Sequence, residues 1–401
     1  MTTPTLTAEP ACPDPRTSPR ADRPITDRPL HAERRPFGSI ERDTWDGLAG
    51  RNPWATPFSS WAFHRAWWDA YADNAHDETV VVVDPDAERP DEPVAIVPLM
   101  HRHVVEPDDA ATQTRMRRGE LGLTSVAPTA KAVFFGASYH ADYATVLAGS
   151  NDLPRVADAT ADYLADPTTP GVSPWDVVDL RRLRCGDPSA DALADAFGRR
   201  EMARGWTLNV EREDVCPVLV LPEVSDFDAY LGTLGKKSRH EIRRKLRRAQ
   251  AVGDVRLEDS PDPLEDLPAF IDLHQARWGA DGLFPQTRGG EQSRRFFQRM
   301  FELFGDDGPV KMVFLTVGGR RIAAAVHFET AERVFYYNAG VLPEARDLSP
   351  GVVMVAKFIQ RALERGEREI DFLRGREPYK YEWGAKDEPI ERVLVRRRED
   401  E

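Results

Sequence analysis

The spacing of hydrophobic and polar residues along the chain predicts helices that alternate with strands. Between residues 59 and 71 the apolar positions, many of them aromatic, recur with the helical period, which favours a helix packed on a sheet over an aromatic ligand site. Residues 79–83 and 94–100 are rich in valine and predict two strands joined by a hairpin-like turn. Further strands are predicted at 132–136, 143–147, 175–180 and 206–210, and helices at 152–164 and 190–203. This order indicates a mixed α/β domain.

The pattern from about residue 215 onwards predicts a second unit that contains an antiparallel meander. Apolar runs at 310–317, 321–329 and 333–339 are separated by turn signals at Gly318-Gly319 and around Thr330-Ala331, so we expect three strands in succession. The other strands are predicted at 218–221, 370–373 and 390–395, and the helices at 225–234, 236–248, 264–278, 292–304 and 349–365.

The helix that begins at Ser349 carries the clearest boundary signals in the chain. Ser349 is predicted to be its N-cap, Pro350 suits the first helical position, and Gly366 is expected to end it. A loop that brings free backbone N–H groups to a helix N-terminus is a natural phosphate site. The next strand leads into a cluster of polar residues, at the end of the strand where open α/β sheets usually bind ligands.

Length and composition suggest two domains preceded by a tail. A chain of 401 residues with 41% hydrophobic residues is long enough for two cores. Residues 1–36 have almost no periodic apolar residues, so we expect a disordered tail there, a first domain at 37–214 and a second at 215–401.

Charge and the absence of sequence signals narrow the class of protein. The formal net charge of −13 argues against a DNA-binding protein or a general nucleic-acid binder. No apolar run is long enough for a membrane span, and we expect a cytoplasmic protein. The three cysteines lack metal-ligand spacing, and we expect no metal site.

The order of motifs in the second unit resembles the GNAT acyltransferase fold. More narrowly, it is similar to the CelD/BcsL-type acetyltransferase domains linked to cellulose biosynthesis, which are relatives of the FemAB aminoacyltransferases. The resemblance covers most of residues 225–385 and is carried by the segments 236–245, 274–278, 336–337, 349–351 and 371–380. It implies an α/β (α+β) fold with two tandem GNAT-like domains, whose mixed, largely antiparallel sheets are flanked by helices.

The first half resembles a degenerate GNAT domain more loosely, through two short features. One is the pair Asp142-Tyr143, and the other is an internal echo in which residues 175–181 resemble residues 369–374. Each of the two segments consists of an apolar strand, an aspartate and then an arginine, which hints at a duplication.

The resemblance implies transfer of an acetyl or other acyl group from acyl-CoA to an amine or hydroxyl. The acceptor would be a small molecule or a glycan precursor, such as an amino sugar or a cell-envelope precursor. In the phosphate signature of the family, Gln/Arg-x-x-Gly-x-Gly/Ala, Arg346 and Gly351 match, whereas Ser349 replaces the first glycine. Arg346, Ser349 and Gly351 are therefore the expected acyl-CoA contacts. The alternatives are a FemAB-like peptidyltransferase that takes its acyl group from aminoacyl-tRNA, and a catalytically silent binding relative.

Each of the remaining candidate residues could have either a structural or a functional role. Asp371 could orient a catalytic group or form an ion pair with Arg374 or Lys380, and His274 could be a base or a packed core histidine. The basic helix at 236–248 could be a solvated face, an RNA contact or, as we favour, a site for a small anion. The expected catalytic residues are Asp371, Lys380, Tyr379 and His274, and the expected substrate-binding residues are Arg277, Trp278, Tyr337, Arg374 and Trp383.

Overall fold

The structure is a computed structural model that describes residues 29–102, 123–127, 129–166 and 173–397. Most of the predicted tail lies outside these ranges. The described chain nevertheless forms a strand at His31–Arg34, before the start of order that we expected at Phe37. Among the described helices, none combines the length and hydropathy needed to cross a membrane.

Strands and helices alternate as the sequence predicts. The strands are β1 (His31–Arg34), β2 (His76–Asp77), β3 (Val80–Val83), β4 (Pro93–Val97), β5 (Leu99–Arg102), β6 (Ala132–Phe135), β7 (Leu147–Ala148), β8 (Val177–Arg184), β9 (Trp206–Val220), β10 (Val255–Asp259), β11 (Val310–Val317), β12 (Arg320–Glu329), β13 (Arg333–Val341), β14 (Glu369–Asp371) and β15 (Lys386–Arg397). The α-helices are α1 (Arg42–Gly50), α2 (Trp61–Tyr71), α3 (Leu153–Ala165), α4 (Pro188–Gly198), α5 (Glu201–Arg204), α6 (Phe227–Thr233), α7 (Lys236–Val252), α8 (Pro263–Trp278), α9 (Arg288–Phe304), α10 (Pro350–Arg365) and α11 (Pro378–Glu382).

One large sheet runs through both halves of the described chain. Its strand order is β10-β11-β12-β13-β14-β9-β15-β8-β6-β5-β2, and β1-β3-β4-β7 form a separate small sheet. The predicted hairpin of β3 and β4 is present, but the apolar run 94–100 is divided between the two sheets. The division falls at Pro98, which lacks the N–H group that a continuous strand would need there.

At the centre of the large sheet, each half contributes a strand that pairs with a strand of the other half. β9, for which two separate strands were predicted, is continuous for 15 residues. It follows the first half in sequence and pairs with β14 of the second half, while β15 at the end of the second half pairs with β8 of the first. β9 and β15 also pair with each other along nearly their whole length. The two halves therefore share one continuous backbone hydrogen-bond network.

The two halves repeat one pairing, which gives the internal echo a structural basis. β6 and β8 are parallel with Phe134 opposite Asp179, and β13 and β14 are parallel with Phe335 opposite Asp371. Both aspartates are fully buried and both pair with arginines, Asp179 with Arg392 at 2.6 Å among others. The echo thus marks equivalent strands of the two halves.

Helices cover both faces of the second half of the large sheet. Phe270 and Leu273 of α8 and Phe297 of α9 belong to a core that extends to the aromatic residues of α2 in the first half. On the opposite face, Val353 and Phe358 of α10 belong to a separate core. α8 and α10 therefore lie on opposite faces of the sheet.

Candidate active site

β13 and β14 pair over only a short length, and most of the predicted site residues follow the paired segments in the chain. The two strands pair only through Arg333–Phe335 and Glu369–Asp371, although β13 continues to Val341. Beyond Asp371 the chain follows β9 instead, because the Phe372 N–H group donates to the Pro217 carbonyl at 3.0 Å. The last six residues of β13 thus have no strand partner on this side within the described chain, and we call the resulting gap between the two strands the cleft.

A β-bulge lies in β13 at the mouth of this cleft. Tyr336 is opposite His327 and Asn338 is opposite Val326, so Tyr337 is the extra residue. A bulge turns side chains and backbone groups away from the regular ladder and is common next to active sites. The Tyr336 ring packs against Phe358 on the face of α10 and Tyr337 stacks on Phe297 on the face of α9, the alternation that is usual for neighbouring residues of a strand.

The opposite wall of the cleft is formed by the chain after β14 and by α11. Tyr379 of α11 packs edge-on against Phe372, as Tyr336 does from the other side. Burial raises the pKa of both hydroxyls, that of Tyr336 to about 12, so both phenols keep their protons at neutral pH. Neither hydroxyl has a hydrogen-bond partner in the described part of the chain, which leaves both available to a ligand.

Arg277 and Trp278 are the last two residues of α8, the helix that packs against β13. The Arg277 guanidinium stacks over the Trp278 ring at 4.5 Å from its centroid. Its positive charge lowers the pKa of Tyr336 and of Tyr379, which opposes the larger effect of burial. α8 is pressed against β13 here, since a Cβ on Gly340 would lie 2.3 Å from the His274 backbone nitrogen.

The first half contributes a buried polar cluster to the same region. The Tyr337 hydroxyl donates to the His140 carbonyl at 3.0 Å, and the Tyr71 hydroxyl lies 2.8 Å from His140 Nε2 and 3.0 Å from the Ser293 hydroxyl. Burial lowers the pKa of His140 to about 3, so its imidazole is neutral. Arg374 forms an ion pair with Asp142 at 3.1 Å beside this cluster. Tyr337 and Arg374 therefore connect the two halves at the cleft.

Asp371 is held in a buried network rather than exposed to the cleft. Its carboxylate accepts hydrogen bonds from the Tyr143 hydroxyl and the Leu373 N–H group, both at 2.8 Å, and lies 3.3 Å from Arg333 Nη1. Burial raises its pKa to about 6, although the Arg333 charge opposes the shift. The ion pair expected with Arg374 or Lys380 is formed with Arg333 instead. We therefore assign Asp371 a structural role.

Lys380 does not reach into a cleft as the sequence suggested. Its ammonium group is buried and donates to the carbonyls of Leu373, Arg374 and Gly375 at 3.0, 3.1 and 3.0 Å, and it pairs with Glu377 at 2.9 Å. Leu373 has a left-handed backbone with φ of 56°, a conformation that bulky residues seldom adopt. Lys380 therefore stabilises a strained turn and, through it, the position of Arg374.

Two other predicted site residues are core residues. His274 is 3% exposed and packs against Phe284, and its pKa is lowered to about 4 by burial, so it is neutral and enclosed by aromatic rings. Trp383, predicted to bind substrate, is 1% exposed, and its carbonyl accepts the Tyr230 hydroxyl at 2.6 Å. Sequence position alone could not separate these residues from Arg277 and Tyr379.

The start of α10 is open to solvent. Ser349 is not the side-chain N-cap that was predicted, because its backbone is left-handed with φ of 54° and its hydroxyl bonds no helix N–H group. Its carbonyl accepts from the Val352 and Val353 N–H groups instead, at 3.0 and 3.1 Å. Gly351 is exposed, and a Cβ built there would meet nothing within 4 Å.

The basic helix α7 reaches this same turn. Arg248 Nη1 donates to the Asp347 carbonyl at 2.8 Å, and Arg346 is exposed next to it. The exposed Gly351 N–H group has arginines near it, a combination that suits a phosphate, so these residues could hold a phosphate of a coenzyme A substrate. In the described ranges no cluster of His, Cys, Asp and Glu side chains could hold a metal ion.

Several residues of the cleft had no distinct sequence signal. Tyr71, His140 and Ser293 lie far apart in the chain, and each looks like an ordinary core or helix residue when considered alone. Arg333 begins a predicted strand without any motif. The exception is Asp142-Tyr143, where both residues now contact the second half through Arg374 and Asp371.

Comparisons with known proteins agree with this geometry. Residues 236–381 match a family model described as "Acetyltransferase (GNAT) domain". No curated protein matches the chain. The fold is similar to the crystal structure of FemX, with a TM-score of 0.54 and 11% identity, covering 88% of this chain and 96% of that chain.

Two further solved structures are similar at lower scores. One is a conserved protein of unknown function from Bacteroides thetaiotaomicron VPI-5482, with a TM-score of 0.49, 13% identity and coverage of 90% of this chain and 98% of that chain. The other is a tandem GNAT protein from the clavulanic acid biosynthesis pathway, with a TM-score of 0.43, 10% identity and coverage of 93% and 100%.

Residues 236–381 therefore match a GNAT acetyltransferase domain, and the predicted α/β fold with mixed, largely antiparallel sheets flanked by helices is confirmed. The matched residues include the whole of β13, the start of α10, β14 and most of α11, which are the elements that form the cleft. The narrower likeness to CelD/BcsL-type enzymes stays a prediction, as does the division into domains at residue 214.

Proposed function

We propose that the protein is an acyltransferase that moves an acetyl or other acyl group from acyl-CoA to an amine or hydroxyl of an amino sugar or cell-envelope precursor. The observation that carries this proposal is the divergence of β13 and β14 beside an open helix start. A cleft between two strands can enclose a linear thioester, while the exposed Gly351 at the start of α10 offers its backbone N–H group to the phosphates.

The chemistry proposed for this cleft is direct transfer. The acceptor nitrogen or oxygen attacks the thioester carbonyl carbon and loses a proton to solvent, the C–S bond breaks, and the sulfur leaves with a proton. Backbone groups at the Tyr337 bulge, which have no β14 partner in the described chain, would face the developing oxyanion. Tyr379 would supply the proton to sulfur, since its raised pKa keeps the phenol protonated until the thiolate forms.

The test is a binding and product assay on the full chain. Acyl-CoA at micromolar concentrations should raise the melting temperature, and acetyl-CoA added to candidate amino-sugar acceptors should give products heavier by one acetyl group. Tyr379→Phe should lower kcat while leaving the affinity for acyl-CoA nearly unchanged, since the phenyl ring still packs against Phe372. Absence of acyl-CoA binding in a folded protein would reject the proposal.

A second candidate is a FemAB-like transferase that uses aminoacyl-tRNA, and one feature favours it. The outward face of α7 carries exposed lysines and arginines, including Lys236, Lys237, Arg244 and Arg247, in a chain of net charge −13. Binding of tRNA that weakens steeply with added salt would support this alternative. Binding of an acceptor without turnover on either donor would indicate a catalytically silent relative.

A further inference from the structure

Four polar side chains form a continuous hydrogen-bonded chain that crosses between the two halves. The Ser293 hydroxyl of α9 lies 3.0 Å from the Tyr71 hydroxyl of α2, which in turn lies 2.8 Å from His140 Nε2. On the other side of the same ring, His140 Nδ1 lies 3.3 Å from the Tyr337 hydroxyl, which donates to the His140 carbonyl at 3.0 Å. Tyr71, His140 and Ser293 are at most 5% exposed, so the chain lies inside the core. It ends at Tyr337, the extra residue of the β13 bulge.

The order of donors and acceptors in this chain assigns the proton of the imidazole. The Tyr337 hydroxyl has a single proton and donates it to the His140 carbonyl, so its oxygen can only accept from Nδ1. Burial lowers the pKa of His140 to about 3, so at neutral pH the ring carries one proton, which we place on Nδ1. Nε2 then accepts from the Tyr71 hydroxyl. Both ring nitrogens are thereby engaged, and neither is available as a base for the acceptor.

Aromatic packing fixes the planes of the two rings that meet in this chain. The His140 ring stacks on Phe296 with 4.1 Å between centroids and 6° between planes. The Tyr337 ring stacks on the next residue of α9, Phe297, at 5.9 Å and 18°, and Phe58 lies 5.7 Å away on another side. The hydroxyl of Tyr337 is therefore held at its tip by His140 while its ring is held along its length.

The residue held in this way is the one whose backbone matters for the proposed chemistry. A bulge residue is left unpaired in the strand ladder, so strand pairing fixes its backbone less firmly than that of its neighbours. Donors to a developing oxyanion must be positioned before the reaction, and a displacement of about 1 Å can cost roughly a hundredfold in rate. A second means of holding the Tyr337 bulge would therefore act directly on the rate of transfer.

We propose that His140 is a positioning residue for the acyl transfer. Through its carbonyl and Nδ1 it holds the Tyr337 hydroxyl, and Tyr337 in turn keeps the bulge backbone aimed at the thioester carbonyl. The first half of the chain thereby contributes to the chemistry without touching the substrate. This assignment rests on the proposed acyltransferase function.

The test is the infrared carbonyl stretch of acetyl-CoA labelled with carbon-13 at the thioester carbonyl and bound to the full chain. A hydrogen bond to the carbonyl oxygen weakens the C=O bond, so binding to the unmodified protein should lower the stretching frequency. Tyr337→Phe and His140→Leu should each lose most of this shift, because the bulge backbone is no longer held. With an acceptor from the product assay, kcat should fall roughly tenfold to a hundredfold in both variants, while KM for acetyl-CoA changes by less than about twofold.

Two further variants separate positioning from the loss of packing. In His140→Asn the amide nitrogen takes nearly the place of Nδ1 and can donate to Tyr337, so this variant should keep more of the infrared shift than His140→Leu. Tyr163→Phe in α3 is the matched control, because the buried Tyr163 hydroxyl has no hydrogen-bond partner in the described part of the chain. It should leave the shift and kcat unchanged. Melting temperatures show whether each variant is folded.

The possible results distinguish the role of His140 from the proposed function. An unchanged shift in folded Tyr337→Phe and His140→Leu overturns the role of His140, and so do equal losses in His140→Leu and His140→Asn. Binding of acetyl-CoA without any shift in the unmodified protein overturns it as well. Failure of acetyl-CoA to bind rejects the acyltransferase function instead. In that case nitrogen-15 NMR of the histidines, assigned with His140→Asn, still tests the chain, since a proton on Nε2 would show that Nδ1 does not hold Tyr337.

Discussion

At the scale of single residues, the structure separates predicted site residues by what their polar groups contact. Lys380 and Asp371 are as polar as Arg277 and Tyr379, yet their charges are satisfied inside the protein. A buried charge whose partners are all internal acts on stability and position, whereas an open one can act on a ligand. This distinction depends on tertiary contacts, so residue type and spacing could not supply it.

Lys380→Met should destabilise the fold strongly, in contrast to the tolerance expected of a surface lysine. The change removes three hydrogen bonds to carbonyls and the ion pair of the buried ammonium group with Glu377, which should cost about 3–5 kcal/mol of unfolding free energy. Urea unfolding measures this loss. Lys386→Met is the control, since Lys386 is exposed, and it should stay within about 0.5 kcal/mol of the unmodified protein. Equal stability of the two variants would contradict the role given to Lys380.

Asp371 should give stability a distinct dependence on pH. Because its native-state pKa is raised from 3.8 to about 6 by burial, the native protein binds more protons than the unfolded chain between these pH values. Its contribution therefore becomes less favourable as pH rises from about 4 to about 6. The stability of the unmodified protein relative to Asp371→Asn should fall over this range by an amount on the order of 3 kcal/mol. A difference that stays constant with pH would show that Asp371 does not titrate there.

At the scale of elements, local sequence patterns predicted the helices and strands whose type and boundaries are set by their own residues. The meander β11–β13 and helix α10 follow from apolar periodicity together with Gly318-Gly319, Pro350 and Gly366, and all are present. The patterns failed for strands whose length or sheet depends on the strand with which they pair. Nothing within 94–100 shows that its two parts belong to different sheets, and nothing in 206–220 shows one strand continuous across both halves.

The residues of the cleft likewise include some that the sequence could predict and others that it could not. Its aromatic and basic residues could be predicted because they lie in short motifs, such as Arg277-Trp278 and Tyr379. The contribution of the first half could not, because Tyr71 contacts His140 and His140 contacts Tyr337 only once distant parts of the chain have packed together. Long-range packing of this kind leaves no periodic signal in either segment.

Gly351→Val should impair acyl-CoA binding without affecting folding. The new side chain meets no protein atom, and the change from glycine to valine within a helix alters stability by no more than about 0.5 kcal/mol. It would however occupy the space beside the open Gly351 N–H group, so affinity for acyl-CoA should fall at least tenfold in a binding titration. Gly47→Val in α1 is the same change at an exposed helix position away from the cleft and should leave affinity unchanged. Normal affinity in Gly351→Val would remove the turn from the donor site.

At the scale of the whole molecule, the exchanged strands make the two halves dependent on each other. β15 is bordered by β8 on one side and β9 on the other, so both of its edges are covered mainly by residues before 215. The cleft also has walls from both halves, through the contacts of Tyr337 with His140 and of Arg374 with Asp142. Folding and the assembly of the site are therefore one event.

A fragment of residues 215–401 should consequently fail to fold alone. It would expose both edges of β15 over most of their length, together with the core residues Val393 and Val395 that pack on the first half. Unpaired strand edges with apolar side chains aggregate, so we expect an insoluble product, or one without a cooperative melting transition. A soluble, cooperatively melting monomer would contradict the shared sheet.

Co-expression of residues 1–222 with 223–401 provides the matching positive test. The cut falls after β9 and before α6, in a segment without regular structure, so every strand stays intact and only one peptide bond is lost. Because β9 then remains whole on the first fragment, it can still pair with β14 and β15 of the second. We expect the two fragments to co-purify as a one-to-one complex with a single melting transition. Fragments that fold separately, or that do not associate, would show that the exchanged strands do not hold the halves together.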